Sequence, residues 1–533
     1  MLTSHLTALE ASAAHSPLSP VFRLPCLDPA TNQVKEWQVI TYQQFLHDVE
    51  TSAKYWSSLF ASRRIPQRSV IGLWIGGFTY SDILHIYGVS RAGYVPQMFS
   101  LRLPNPVIIY SLMQKANAKA LIYEPCYATS VVNAPVPTFL AIDKHSMGVP
   151  SVPLPVLPCV SDDDFAFIFH TSGSTSGSPK LVPCSYKWLG SAIHKSNIIS
   201  KPRNLHRRDV TVWMGSLCHI AQSFMFLGTL QHGSCVIQPT KINFSSEELV
   251  DMIERCGLNR LNQFATFLSN HLRNSRNDRK LLSKLQGLEE VVFTGLPLPR
   301  DDEEWAMKNG VQLRNLFGST ECGATLLAVG GKSRSAPFLR PIDGMSYSFV
   351  PIEPSQPERH QTTAMLLELV ILAESPDCPH KSLRSDDGHF HTGDLFIQTA
   401  PGLYVFRGRN DDWIKTENSL RCDTKAIEDN VKATCGQFVK DCVVVGTGRP
   451  SPSIFIEAVD NDTDTNFIKQ EIMRKTRRFN STRYLHEQIA SPHFIIVLHQ
   501  GTLPRTVTKG NIRRKEVETQ YKGLLDQLYG QTF

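Results

Sequence analysis

The clearest signal along the chain is an apolar rhythm that switches between two periods. Thr41, Tyr42, Phe45, Leu46, Val49, Ala53, Trp56 and Leu59 recur at helical spacing, with Thr41 and Gln44 placed for a capping box. The run VIGLWI over 70–75 is apolar throughout, as expected of a strand buried on both faces. A further helix is expected to start near Ser81 and stop by Gly93. Another should run from a Ser245 cap, with Glu248 three residues on, to Gly257. Strand then helix, repeated, predicts an α/β fold of parallel sheets covered by helices. The most apolar window, 210–237, is interrupted by His219, Gln222, Gln231 and His232. A bilayer span does not keep such groups without reason, so the window reads as a buried strand and helix.

Proline and polar residues cluster at 135–164, 351–363 and 375–389, which marks connectors or surface loops. Beyond residue 409 the elements shorten: a helix over 423–435, strands near 442–445 and 454–459, a charged helix after Thr465, and a strand over 494–498. This change puts a domain boundary near 408–412, with a large N-terminal domain, 1–408, and a lid-sized α+β domain, 409–533. A length of 533 residues agrees, being too long for one small core.

Charge narrows the function classes only by exclusion. A net charge of +6 is small over this length and does not imply nucleic acid, and Arg513, Arg514 and Lys515 read as a solvated helix face. Twelve cysteines with no CxxC pair fit reduced thiols better than a disulfide frame or a zinc site. The N-terminal residues lack the basic start and apolar run of a secretory leader, and Gln531, Thr532 and Phe533 are not the peroxisomal address. A cytoplasmic protein without a membrane span is expected.

Candidate chemistry enters at HTSGSTSGSPK, His170 to Lys180. The run 164–169 before it reads as a buried strand, so the loop leaves the C-terminal end of a strand, where parallel sheets place ligands. Glycines let backbone amides approach an anion, hydroxyls add donors, and Lys180 adds charge, so phosphate is the natural guest. The GxxxxGK[ST] spacing of P-loop proteins is absent. Taken alone the loop is as compatible with a serine-rich linker.

Its company decides. The loop is followed by Asn315-Leu316-Phe317-Gly318-Ser319-Thr320-Glu321, His391-Thr392-Gly393-Asp394, Phe406-Arg407-Gly408-Arg409-Asn410-Asp411-Asp412, and Leu503-Pro504-Arg505-Thr506 with Lys509. Five motifs in this order, spanning about 40–514, resemble the adenylate-forming superfamily of acyl-CoA synthetases, peptide-synthetase adenylation domains and luciferases. The variants WIKTENSLRCDTKAIEDN and VTKGNIRRK look most like fungal secondary-metabolism members, including adenylation domains of carboxylate reductases. The resemblance implies a large N-terminal domain that includes a small barrel, followed by a mobile C-terminal lid.

It also implies ATP-dependent activation of a carboxylic acid as acyl-AMP, with pyrophosphate released and the acyl group passed to a thiol. Thr171, Ser172, Gly173, Ser174, Thr175 and Lys180 would cradle the β and γ phosphates. Asn315, Phe317 and Gly318 would take the nucleotide, Phe317 covering the adenine. Thr320 would touch the α-phosphate and Glu321 would bind Mg2+, a hard ion suited to carboxylate and phosphate oxygens. Asp394, at the end of a predicted strand, and Arg409 would hold the ribose; Asp411 would be the hinge. Lys509 would enter between carboxylate and α-phosphate, where a cation stabilises charge on the pentavalent phosphorus.

The acid pocket would use His219, Gly295, Leu296 and Gly323. Residues 213–219 contain no aspartate or glutamate to pair with an ammonium, which favours an acid lacking an α-amine. The acceptor would be CoA or the phosphopantetheine of a separate carrier or synthase protein, since only about twenty residues follow Lys509. Three departures stand out: Ser176 lengthens the first loop, Leu181 replaces its last glycine, and the tail reads Thr508-Lys509-Gly510, with the lysine one place early. Thr416, Glu417, Asn418 and Ser419 stand where acyl-CoA synthetases place a tunnel glycine. A P-loop phosphotransferase and a catalytically silent nucleotide-binding relative are the alternative classes.

Overall fold

The computed structural model describes all residues except 1–2, 102, 104, 149–151, 172–179, 205, 332, 353–364, 411–412, 418–420, 482, 484, 506–509, 511 and 531–533. The expected helices form where their caps place them. Thr41 accepts from Gln44 N at the head of Tyr42–Ser62, and Ser245 accepts from Glu248 N at the head of Ser246–Cys256, which ends on left-handed Gly257. The helix expected near Ser81 is Tyr80–Arg91, closed by a Thr79/Asp82 capping box. The window 210–237 resolves into strand Val210–Val212, helix Ile220–Gln231 and strand Cys235–Ile237.

Three sheets carry the body. A six-stranded sheet runs Thr138–Leu140, Ala120–Tyr123, Val70–Ile75, Val95–Ser100, Phe165–His170, Leu181–Ser185; the first five are parallel and the last antiparallel. Its side chains join those of the covering helices in the largest apolar core. A four-stranded sheet orders Val34–Thr41, Pro20–Leu27, Cys235–Ile237 and Val210–Val212.

The third, nine-stranded sheet changes character along its width. Arg260–Phe264, Glu290–Thr294 and Leu313–Ser319 are parallel, whereas Gly323–Ala328, Leu339–Pro341, Leu403–Arg409, Phe390–Ala400, Leu366–Ile371 and Tyr347–Pro351 are antiparallel. These six strands own a separate apolar cluster that includes Leu326, Leu369 and Phe396, and they correspond to the small barrel expected. Among the described residues no pairing closes them into a ring.

The turn at 319–323 is where parallel pairing gives way to antiparallel. Gly318 is required there by contact, since a Cβ on it would lie 2.3 Å from Gly323 O, while Gly323 supplies a φ of +65°.

From Ile414 onward the chain builds its own core around the sheet Val439–Val445, Ser453–Ala458, Ile495–Leu498. Helices Thr424–Cys435 and Thr465–Asn480 pack on it, each within a residue or two of its expected place. One element departs from expectation: Asp394 lies inside the long strand Phe390–Ala400 rather than at a strand end, because the strand continues on the far side of a bulge.

Candidate functional site

A cleft of about 1160 Å³ runs between the body and the C-terminal region. Thr171, Lys180, Gly295, Leu296, Asn315, Phe317, Gly318, Thr320, Glu321, Asp394 and Arg409 all line it, so candidates spread over more than two hundred positions meet on one volume. His219 and Gly323 are not on its lining. His219 stands at the N-cap position of the helix Ile220–Gln231 without a side-chain capping bond, and Gly323 faces Trp188 and Phe224. Ser172, Gly173, Ser174, Thr175, Asp411 and Lys509 lie outside the described residues.

The phosphate-loop candidates are reached through a pinned neck. Thr171 N donates to Lys180 O at 2.9 Å and Lys180 N to the Thr171 hydroxyl at 3.3 Å, so Thr171 and Lys180 are pinned to each other at the cleft edge. His170, just before the neck, is buried and donates Nδ1–H to Met98 O at 3.0 Å, because a carbonyl can only accept. Burial pushes its pKa down to about 4, so the ring is neutral and structural.

Phe317 reaches the cleft from Leu313–Ser319 with its inner side supported by Phe406 and Phe396, ring centres 4.9 and 5.2 Å away. The strand is fixed beside it by the Thr294 hydroxyl, 2.6 Å from Leu316 O. The turn that follows brings Thr320 and Glu321 to the same wall.

Asp394 and Arg409 are a cross-strand pair in register, with Arg409 Nη1 3.2 Å from Asp394 Oδ1. Asp394 N donates to the Thr392 hydroxyl, which donates to Leu369 O; Gly393 N donates to Glu368 Oε1. His391 bridges Asp387 at 2.9 Å and Glu368 at 3.3 Å, and these carboxylates, Asp387 first, raise its pKa. The result is a carboxylate of low exposure beside a guanidinium, a geometry able to take the two hydroxyls of a diol.

The opposite wall comes from the C-terminal region: Lys425, Glu428, Lys432, Asp441, Gly510, Ile512, and 513–516. Arg513, Arg514 and Lys515 therefore are not merely a solvated helix face. Arg514 is only 12% exposed, because Glu428 Oε1 at 2.6 Å and the Val444 carbonyl draw it inward. Burial works against the Lys432 ammonium, but Cys442, Asp441 and Glu428 together outweigh it and hold its pKa above the ordinary lysine value. Pairing of Arg505 with Ile512, and an Arg505 Nη1 to Gly510 O bond of 3.1 Å, close the base of the segment that carries Lys509.

Among the described residues no three His, Cys, Asp or Glu side chains gather to hold a metal ion. Glu321 on the wall still fits Mg2+, which takes one or two protein carboxylates and completes its shell with phosphate oxygens and water. No helix among the described residues is long and apolar enough to cross a membrane.

Comparison with known proteins identifies this arrangement. The AMP-binding enzyme family matches residues 9–343, and its C-terminal domain matches 411–532. The chain belongs to the AMP-binding enzymes. It is 36% identical over 517 residues to the AMP-binding domain-containing enzyme iboA of Amanita muscaria, covering 95% of this chain and 99% of that one. The adenylate-forming reductase stbB of Stachybotrys bisbyi is 22% identical over 84% of this chain, which spans only 41% of it. Among solved structures, the O-succinylbenzoate CoA synthetase of Bacillus subtilis in complex with AMP superimposes with a TM-score of 0.75 at 14% identity, covering 97% of this chain and 98% of that one. The AMP-binding enzyme thus has the two-part fold of the adenylate-forming enzymes.

Sequence reasoning missed the C-terminal wall. Lys425, Glu428 and Lys432 recur at three- and four-residue intervals along one helix, a spacing that signals a shared face but not what the face meets.

Proposed function

We propose that this AMP-binding enzyme activates a carboxylic acid lacking an α-amine and passes it to CoA, in a route of fungal secondary metabolism. A carboxylate oxygen of the acid bonds to the α-phosphorus of ATP as the bond to pyrophosphate breaks. The thiol sulfur then bonds to the acyl carbon, the acyl–phosphate bond breaks toward AMP, and the thiol proton goes to solvent. The observation that carries the reading is the single cleft on which 315–321, the Asp394–Arg409 pair, the Thr171/Lys180 neck and Gly510 beside Lys509 converge.

Thr171, Ser172, Gly173, Ser174, Thr175 and Lys180 take the departing pyrophosphate, Asn315, Phe317 and Gly318 the base, and Asp394 with Arg409 the ribose. Thr320 orients the α-phosphate. Glu321 holds Mg2+, which when bound neutralises phosphate charge. Lys509 supplies the cation between the two reacting anions. Gly295 and Leu296 border the acid, His219 and Gly323, which are off the cleft lining, complete its pocket, and Asp411 is the hinge between the 1–408 and 409–533 domains.

For the second step, support comes from an adjoining cleft of about 1000 Å³ lined by Arg409, Trp413, Arg514, Lys515 and Lys522. Its cations and indole suit the phosphates and adenine of CoA. The fungal hosts of both relatives support the metabolic setting.

Acid-dependent exchange of pyrophosphate into ATP, over a panel of aliphatic, aromatic and dicarboxylic acids, tests the first step. ADP and phosphate as products would overturn it, and no exchange with any acid would favour a silent nucleotide binder. Thioester formed only on a carrier protein would replace CoA as acceptor by the phosphopantetheine arm of a separate protein.

A further inference from the structure

Behind the wall that carries Thr320 and Glu321 lies a cation with no access to solvent. Lys195, on the helix Tyr186–Ile199, has a side chain 0% exposed, and its partner Asp377 is equally buried. Lys195 Nζ donates to Asp377 Oδ2 at 2.8 Å and to the backbone carbonyl of Cys322 at 2.7 Å. Asp377 is completed by the Ser375 hydroxyl, 2.6 Å from Oδ1, and by the Tyr347 hydroxyl on Oδ2. Seven residues before Lys195, two turns along the same helix face, Trp188 donates Nε1–H to the Glu321 carbonyl at 3.0 Å. One helix therefore grips two successive carbonyls of the turn from behind.

A buried ion pair seldom stabilises a fold more than apolar side chains of the same volume would, so stability is a weak reason for this one. Its distinctive effect is directional. With the Glu321 and Cys322 carbonyls fixed from behind, the turn keeps one orientation toward the cleft, which Thr320 and Glu321 line.

We infer that Lys195, Asp377 and Trp188 are positioning residues for the Thr320–Glu321 turn, setting how well the enzyme binds ATP with Mg2+. The inference rests on the nucleotide reading of the cleft and adds to it residues that do not line the cleft.

Two variants test it without leaving a buried charge unpaired. Lys195→Met with Asp377→Asn removes both charges at similar volume, and Trp188→Phe removes one donor while keeping a ring. The readouts are Tm, ATP affinity by titration at several Mg2+ concentrations, and the KM for the acid. The expected result is near-native Tm, a rise of about tenfold in the Mg2+ concentration that half-saturates ATP binding, and an unchanged KM for the acid. A double variant with native Tm and the wild-type Mg2+ dependence overturns the inference alone. A wild-type protein that binds no ATP at any Mg2+ concentration overturns the nucleotide reading and this inference together.

Discussion

The two walls of the cleft are held by different kinds of bonds. On the body side the carbonyls of Leu316, Glu321 and Cys322 are tied by Thr294, Trp188 and Lys195, and the amides of Gly393 and Asp394 by Glu368 and Thr392. On the C-terminal side the ties are ion pairs: Lys432 to Asp441 at 2.6 Å, Arg505 to Asp441 at 2.8 Å and Arg514 to Glu428 at 2.6 Å, with side chains 12% to 45% exposed. Hydrogen bonds in a low-dielectric interior are costly to break and define one geometry. Exposed ion pairs are worth about 1 kcal/mol or less and are screened by salt, which applies to Lys432–Asp441 and Arg505–Asp441 more than to the inward-drawn Arg514–Glu428 pair. The body wall is thus built for precision and the opposite wall for adjustment, which is what the proposed function would ask of a part that holds the nucleotide and a part that brings Lys509 to it.

The two walls should separate binding from chemistry. Lys509→Ala is expected to lower acid-dependent pyrophosphate exchange about a thousandfold, the effect of removing a group aimed at transition-state charge, with ATP affinity nearly unchanged. Loss of ATP affinity instead would place binding on both walls. Asp394→Ala should show the converse: a fall of about a hundredfold in kcat/KM for ATP, expressed mainly in KM, from the loss of charge-assisted bonds to the ribose.

Arg505→Gln addresses the adjustable wall. Arg505 is the cation for Glu457, a carboxylate with a 1% exposed side chain, and also closes the base of the Lys509 segment. The change is expected to destabilise the C-terminal region by about 2 kcal/mol, read as a lowered first transition in calorimetry. Exchange should become more sensitive to salt, with ATP binding by the body left as it was.

Much of the body wall was legible because its signals are local. Caps such as Thr41 and Ser245 act within one turn, and the motifs at 315–321 and 391–394 are contiguous. What was not legible depends on contacts far apart in sequence. Lys195 looks like an ordinary solvent-facing lysine, yet its partners are 127 and 182 positions away, and one of them, Asp377, sits in a stretch that reads as a connector. Arg514 misled for the same reason, since Glu428 lies 86 positions before it. Charge is read from sequence as solvated unless a partner is known, and burial of a paired charge is a tertiary property.

The smallest effect expected is one of pH, and its sign differs between two histidines that support the same wall. His170 is buried with its pKa lowered to about 4, so in acid the unfolded chain takes up a proton before the folded one does. Its contribution is present above about pH 6.5, the unfolded value, and is lost as pH falls from there toward 4. By pH 5.5 the loss is about 1 kcal/mol, and His170→Gln should flatten the pH dependence of unfolding by that amount. For His391, its bond to Asp387 and then that to Glu368 raise the pKa, so the sign reverses: its contribution is complete below the unfolded value and fades as pH rises through the raised one. Solvent screens that site, so His391→Gln should leave stability almost unaltered and soften only the alkaline side of ATP affinity, through Glu368 and the Gly393 amide it holds. The opposite wall has no part in either effect, because burial of Asp441 is outweighed by Lys432 and Arg505 and its pKa stays below the usual carboxylate value. A pH response between 5.5 and 6.5 that follows Asp441 rather than these histidines would show that the adjustable wall, not the fixed one, senses protons.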